Sequence, residues 1–590
     1  MHKTLLGIGI GLSAILQVGT GSAFAGNCTV GDFGALPVEM QGARATTVVK
    51  IDGQDTRFIL DTGAAFNFMS RANADAMKLK REPAPFGLSM SGIGGDADVE
   101  LTRVPEFGIL GGTLKKMEFM VGGSDAGMGL IGAALLDFSD LDIDLAHGKL
   151  HLMQPSGSEC RKLAMAYWTQ DGNYQVVDLN PSQHSYDQRS FVTVIINGKK
   201  VQALLDTGAP VTVLSSKAAK RAGIDLSSPQ AKAGYTTSGI GAKNLKTWNV
   251  PLDSISIGTE TIQHSRILVM DGDMGDNYND VEMLLGADFF LAHHLFIANS
   301  QGKIYFTYNG GRVFALEMAA KGGDAPGDAL PDDPNAPKTA EDYALRGQAH
   351  LSRGESAAAA ADLDNAIRLA PDQAPYYLAR ARANLALDHS DAAMADLDKS
   401  IDLDPKDVEA LLLRARLRLR KKDTAGAEPD IAAARQLAPP GSAESAAVAE
   451  FYVAVDQPAA AIPLLDDWIR LHDDDSKLGS VLNSRCWARG LANQELDGAL
   501  ADCKAAIKRD GPLPQYLDSL GLVQLRRKDY PAAIDAYGQA VAKGARSAGS
   551  RYGLGLAEVR GGNTDAGNAD MEAAKALDPK ADNRFTQFGI

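Results

Sequence analysis

One heptapeptide occurs twice in this chain in closely related form, as Phe58-Ile59-Leu60-Asp61-Thr62-Gly63-Ala64 and as Ala203-Leu204-Leu205-Asp206-Thr207-Gly208-Ala209. Four further landmarks accompany each copy in the same order. A turn glycine precedes each aspartate, in Asp52-Gly53 and Asn197-Gly198, behind a β-branched run, Thr46 to Ile51 and Val192 to Ile196. Such runs around Asp-Gly or Asn-Gly predict a β-hairpin that delivers the aspartate at a strand end. Downstream come Ser91-Gly92-Ile93-Gly94 and Ser238-Gly239-Ile240-Gly241, then Leu130-Ile131-Gly132 and Leu284-Leu285-Gly286, each leading into a short apolar helix. The turns Gly148-Lys149 and Gly302-Lys303 close the two series. One shared tripeptide would carry little weight. Five landmarks in one order mean two copies of one fold, so the first half of the chain is a tandem pair of small strand-rich units.

Two aspartates on loops related by a twofold axis suit a particular chemistry. Two carboxylates held close together share one proton, because both cannot be ionised at that distance. One then acts as general base on a water while the other, protonated, polarises a carbonyl. Gly63 and Gly208 allow the tight loops that bring backbone N–H groups onto the carboxylates, and the hydroxyls of Thr62 and Thr207 can lock the two loops together. The apolar run before each aspartate dries the site and raises one pKa.

These residues resemble the retropepsin-like aspartic proteases, peptidase family A2 and its bacterial relatives, over roughly Thr46 to Phe306. In that family each subunit gives one aspartate and the active enzyme is a dimer. The resemblance implies an all-β acid-protease fold, here a fused single-chain pseudo-dimer, with Asp61 and Asp206 as the catalytic pair. Thr62, Gly63, Ala64, Thr207, Gly208 and Ala209 would support the catalytic loops. Gly92, Ile93 and Gly94 and their counterparts Gly239, Ile240 and Gly241 would form flaps over a bound peptide. The flap glycines Gly92 and Gly239 follow their aspartates at unequal distances, which implies an asymmetric cleft. The expected activity is aspartic endopeptidase hydrolysis of a protein or peptide substrate, with no cofactor and no metal. The rival reading is a protease-like fold kept as a non-catalytic peptide-binding scaffold.

Other candidates are weaker. His147 and His151, and His293 and His294, have no third ligand at suitable spacing for a metal. Asp271, Asp273, Asp276 and Asp280 lack the sixth-position Gly and twelfth-position Glu of a calcium loop and read as a solvated loop. The net charge of −15 excludes a basic field, and hence a nucleic-acid partner.

The N-terminus carries Lys3, an apolar run from Thr4 to Val18, and Ala23-Phe24-Ala25 before Gly26, the pattern of a cleaved secretory leader. No later stretch is long and apolar enough to span a bilayer, so the expected protein is exported, periplasmic or secreted, with no membrane span after cleavage. Four cysteines fit an oxidising compartment. A Cys28–Cys160 bridge would pin the N-terminal strand, and Cys486 and Cys503 stand where two helices touch. Free thiols are the alternative, since sequence does not fix pairing.

Beyond a Gly-, Pro- and Asp-dense linker, Pro371, Pro405 and Pro439 mark a regular period of 34 residues in an Ala-, Leu- and Arg-rich stretch. That period is the helix-turn-helix unit of tetratricopeptide repeats. Units starting at Ala340, Ala374 and Val408 put Gly347, Ala381 and Ala415 at the eighth position; later units put Gly521 and Gly555 there. A unit starting at Ser480 puts Cys486 at position seven and Cys503 at twenty-four. The array should present a concave face to a protein partner. Its ninth position holds Arg382 and Arg416, a basic spot for an acidic segment, although exposed arginines more often stay solvated. The expected layout is a leader at 1–25, protease-like copies at 30–160 and 161–320, a linker at 321–338 and about seven repeats at 339–582.

Overall fold

The computed structural model describes residues 28–86, 88–136, 138–169, 172–182, 187–272, 274, 280–310, 313–314, 336–544 and 547–590. The leader at 1–25, most of the expected linker and Asp273 and Asp276 of the acidic cluster lie outside the described residues. Among the described residues no helix is long and apolar enough to cross a membrane.

Each copy of the duplicated unit is built from the same few pieces. Strand Arg44–Ile51 turns into Gln54–Leu60, and Phe191–Ile196 into Lys199–Leu205. Both turns have left-handed backbone at their two central residues, Asp52 (φ 48°) and Gly53 (82°) and Asn197 (46°) and Gly198 (77°). That is the turn whose twist matches the flanking strands, which is why Asp-Gly and Asn-Gly are found there. The returning strand ends at the aspartate. A third strand, Gly129–Ile131 or Met283–Leu285, runs parallel to it and also pairs antiparallel with the strand that follows the aspartate loop. The loop is therefore gripped on both sides. Glycine is required at the end of that third strand: a Cβ on Gly132 would sit 2.4 Å from the Phe66 carbonyl oxygen, and one on Gly286 2.5 Å from the Val211 carbonyl carbon.

A six-stranded sheet joins the copies, three strands from each, with Asp140–Asp144 against His293–Ala298 at its centre. The partners there are chemically unlike. His294 Nε2 lies 2.5 Å from Asp142 Oδ1, Ser300 donates its N–H (2.8 Å) and hydroxyl (2.7 Å) to Asp140, and Asn309 Nδ2 donates to Asp144 (3.1 Å). The second half thus supplies groups that satisfy the first half's buried carboxylates, as buried charge requires, and His147 of the first half adds a 2.7 Å contact to Asp144. This favours the unlike halves of a chain over two identical ones. His293, His294 and His147 thus serve in hydrogen bonds; His293 is wholly buried, its Nδ1 2.8 Å from the Phe289 carbonyl.

The chain divides into two compact units, at a different place from the expected linker. The first holds both aspartate-bearing halves and the helices Ala340–Ser352, Ser356–Leu369, Ala374–Ala386 and Ser390–Leu403; the second holds Gly123–Gly127 and Asp404–Ile590. The reason lies in packing. Ala349 of the first of these helices shares a buried apolar cluster with Leu145, Leu150 and Phe289, and Arg353 donates to the Leu291 carbonyl (3.3 Å). In the second unit, Asp125 is buried between His472 (Nε2 to Oδ2, 3.1 Å) and Asp475, which accepts its N–H at 2.6 Å.

Among the described residues, fourteen helices from Ala340–Ser352 to Thr564–Leu577 form seven pairs. The first three pairs share a device: a guanidinium on the first helix grips a carboxylate on the second, Arg346 with Asp362, Arg380 with Asp396 and Arg414 with Asp430, each 16 residues apart. In the fifth pair Arg485 does the same with Asp502, 17 residues on. One residue is inserted between them, so Cys486 takes the eighth position rather than the seventh, where the other repeats place Gly or Ala against the second helix.

Both disulfides are formed, Cys28–Cys160 spanning 132 residues and Cys486–Cys503 spanning 17. Serine replacement of the first pair is expected to lower stability by about 3–5 kcal/mol, and of the second by about 3 kcal/mol, because the longer loop gains more freedom when unfolded. Urea midpoints of the two double variants check the order; a reversed order rules out this unfolded-state account.

Candidate active site

Asp61 and Asp206 meet across the pseudo-twofold axis. Each carboxylate is first tied to its own loop: Asp61 Oδ1 accepts from Gly63 N (3.0 Å) and Ala64 N (2.8 Å), and Asp206 Oδ1 from Gly208 N (2.9 Å) and Ala209 N (3.0 Å). Each then packs on the opposite loop. A Cβ on Gly63 would lie 2.3 Å from Asp206 Cγ, and one on Gly208 2.2 Å from Asp61 Cγ. Neither glycine has a positive φ. The need for glycine here is thus the approach of the other half's carboxylate, and not the backbone conformation that the sequence suggested.

The threonines hold this geometry. Thr62 Oγ1 donates to the Leu205 carbonyl (2.8 Å) and accepts from Thr207 N (3.1 Å); Thr207 Oγ1 donates to the Leu60 carbonyl (2.7 Å) and accepts from Thr62 N (3.1 Å). Both threonines are buried, so each bond replaces one that water cannot supply. Four reciprocal bonds between halves fix the separation of the two carboxylates.

Burial, then the neighbouring charge of Asp206 and the hydrogen bond to it, push Asp61 well above the usual carboxylate range. Burial raises Asp206 too, but the bond from Asp61, the Ala209 and Gly208 N–H groups and the Arg189 charge oppose it. Both carboxyls are thus held above the ordinary range, as two acids that share one buried site are.

The two flap segments touch at their tips. Gly241 N donates to the Ile93 carbonyl (3.1 Å) and Lys243 N to the Gly94 carbonyl (3.2 Å). A Cβ on Gly92 would come within 2.7 Å of Ile240, and one on Gly239 within 2.8 Å of Ile93. The first flap is a regular hairpin, Ser89–Gly92 against Gly95–Ile109, whereas the second is closed by a single Thr237–Leu245 bridge. Ile93 of the first flap, like Ala209 of the second half's aspartate loop, packs on the buried cluster that contains Leu204 and Val213.

Residues 47–135 and 192–289 match the aspartyl protease family model, and residues 344–407, 378–442 and 519–582 match that of the tetratricopeptide repeat. This is an aspartyl-protease-like pair fused to tetratricopeptide repeats. Among solved structures, a retropepsin-like aspartic protease from Rickettsia conorii is 21% identical, covering 23% of this chain and 91% of its own, with a TM-score of 0.18. The Cut9–Hcn1 hetero-tetramer of the APC/C is 17% identical over 42% of this chain and 48% of its own, with a TM-score of 0.31. PilW, a type IV pilus biogenesis factor, is 15% identical over 36% of this chain and 97% of its own, with a TM-score of 0.30. No curated protein matches the chain.

Within the aspartyl-protease-like pair, one residue near the dyad escaped the sequence reading. Arg189 makes a two-pronged contact with Asp187 (Nη2 2.6 Å, Nε 2.9 Å) and donates through Nη1 to the Gly63 carbonyl of the opposite loop (3.4 Å). Its charge is one of the influences that lower Asp206. A signal was present: Arg44 and Arg189 precede Asp61 and Asp206 by the same interval. In the repeats, Arg416 lies over the Phe451 ring at 5.7 Å, and Arg382 belongs to the other compact unit.

Proposed function

We propose that this chain is an exported aspartic endopeptidase. The reading rests on one observation above the rest: two Asp-Thr-Gly loops, locked by reciprocal threonine bonds, set each buried carboxyl against the glycine of the opposite loop. Asp206, ionised as the general base, takes a proton from a water held between the carboxyls as that water attacks the scissile peptide carbonyl. Asp61 gives its proton to the carbonyl oxygen, so the tetrahedral intermediate forms as a neutral gem-diol. Collapse returns a proton to Asp61 from one hydroxyl and delivers the proton held on Asp206 to the departing amide nitrogen. The C–N bond breaks to give an acid and an amine. The flaps close over the substrate, and the repeats recruit substrate or a regulator through their inner face. Two disulfides support an oxidising compartment.

The reading predicts a bell-shaped dependence of kcat/KM on pH, since one carboxyl must be ionised and the other protonated. Both folded values lie above the ordinary one. The acid limb, set by protonation of Asp206, and the alkaline limb, set by loss of the Asp61 proton, are both displaced upward from about 3.9. Cleavage of a quenched-fluorescence peptide library by the purified chain across acid to neutral pH tests this, with inhibition by a pepstatin-type statine compound as control. No cleavage at any pH would leave a peptide-holding scaffold.

A further inference from the structure

Helices Leu478–Ala492, Pro514–Arg526 and Ala548–Arg560 are the first helices of three successive repeats in the second unit. The C-terminal segment folds back across all three. Arg584 donates through both Nη atoms to the two oxygens of Asp518 (2.9 and 2.8 Å), and its guanidinium lies 5.0 Å from the Trp487 ring centroid. Phe585, 2% exposed, packs on Tyr552 with ring centroids 5.2 Å apart. Arg526 holds the end of the chain by its backbone, donating to the Phe588 carbonyl (2.7 Å) and the Gly589 carbonyl (3.1 Å). Gly549 leaves the space that Arg584 uses, since a Cβ there would stand 3.2 Å from its Cζ.

This is how a groove holds a peptide. The tail helix Asn583–Gln587 has five residues, far below the roughly 12–15 that an isolated helix needs in water, so the groove imposes its shape. Specificity comes from two side chains: a bidentate carboxylate with an aromatic face for arginine, and an apolar wall for the aromatic residue. The backbone carbonyls are taken by Arg526 whatever the sequence. The groove also continues past the tail, as a cavity of about 380 Å³ lined by Val453, Asn483, Trp487, Gln515 and Arg584. There the buried Asn483 Oδ1 has no hydrogen-bond partner among the described residues.

We propose that this groove is a docking site for a short protein segment that carries arginine followed by an aromatic residue and turns helical on binding, and that the chain's own Arg584–Phe585 tail is its resident, displaceable occupant. The proposal rests on the reading of the repeats as a partner-binding surface and names the chemistry of the partner. A tethered occupant competes at an effective concentration of about millimolar, so a free ligand binds the intact chain weakly until the tail is released.

The test uses the full chain carrying Asp206→Asn, so that a bound peptide stays whole and binding is read whether or not the chain cleaves peptides. A fluorescent peptide of residues 580–590 is titrated into three proteins: this chain, the same chain lacking residues 582–590, and the same chain with Arg584→Ala. Anisotropy is expected to show at least tenfold tighter binding to the second and third. Adding Asp518→Asn to the shortened chain, or replacing the peptide's arginine by alanine, should reverse the gain. Shortened and Arg584→Ala chains that are folded by circular dichroism yet bind no better than the intact chain would overturn the proposal. Unfolding of both would overturn it too, because the tail would then be a structural cap. Failure of the protease reading appears separately, as absence of cleavage with the parent chain.

Discussion

Asp206→Asn is expected to lower kcat for peptide cleavage by about 10³- to 10⁴-fold, the range for loss of general acid–base catalysis, while the chain stays folded. The amide matches the carboxylate in shape and can still accept from Gly208 N and Ala209 N, but it takes no proton from water. Asp61→Asn should do as much, because the other half of the proton traffic is lost. The two Asp-Thr-Gly loops that meet here belong to one chain and are joined through Thr62 and Thr207. Mixing the two variants should therefore restore nothing, and recovery on mixing would place the dyad between chains. Stability supplies the control for folding, and its sign follows from the raised pKa values. Asp61 binds its proton more tightly folded than unfolded, so its contribution to stability is complete below the ordinary carboxylate value and is lost as pH rises through the folded one. Asparagine has no proton to lose. At neutral pH the Asp61→Asn chain should melt above its parent, with the gap closing as the pH falls toward about 4. A variant that melts lower at neutral pH would show that the carboxyl stabilises the fold as an anion, contrary to the environment described.

Gly208→Ala should also lower the rate, for a purely steric reason. The new Cβ would lie 2.2 Å from Asp61 Cγ and 2.3 and 2.6 Å from its oxygens. The carboxylate cannot swing away without losing the Gly63 and Ala64 N–H groups, and the loop cannot retreat without breaking the Thr207 bonds. Over-packing of this kind costs about 1–3 kcal/mol, and a displacement of the reacting groups by about 1 Å costs on the order of 10²-fold in rate. Gly198→Ala makes the comparison. Its Cβ meets nothing within 4 Å, and only the positive φ of 77° opposes it. It should lose stability while kcat is kept. A Gly208→Ala enzyme with parental kcat would show that the loops are not packed as described.

Much of this was legible in the residues because it is local or repeated. Asp-Gly and Asn-Gly turns, the apolar strands behind them and a 34-residue helical period are statements about neighbours along the chain. Duplication extends them: once one half is read, the second aspartate follows. The all-β pair followed by helical repeats is the fold that resulted. Local pattern was least informative where a residue acts on something distant in sequence. Arg189 reaches the Gly63 carbonyl 126 residues away, and His294 finds Asp142 across 152. The extra residue that shifts Cys486 shows only when Arg485 and Asp502 are seen to grip each other.

By itself, then, the order of amino acids determined that there are two similar half-sites, what each is made of, and that a helical array follows. Tertiary structure alone decided that each loop glycine is there for the opposing carboxylate and that the six-stranded sheet sets one half's buried carboxylates against donors from the other. It also decided that the first helices of the array pack with the β-region and that the last residues lie in the groove of their own repeats. The reason is physical. Backbone preference and periodicity are written in adjacent residues, whereas close approach, charge pairing and burial depend on which distant segments folding brings together.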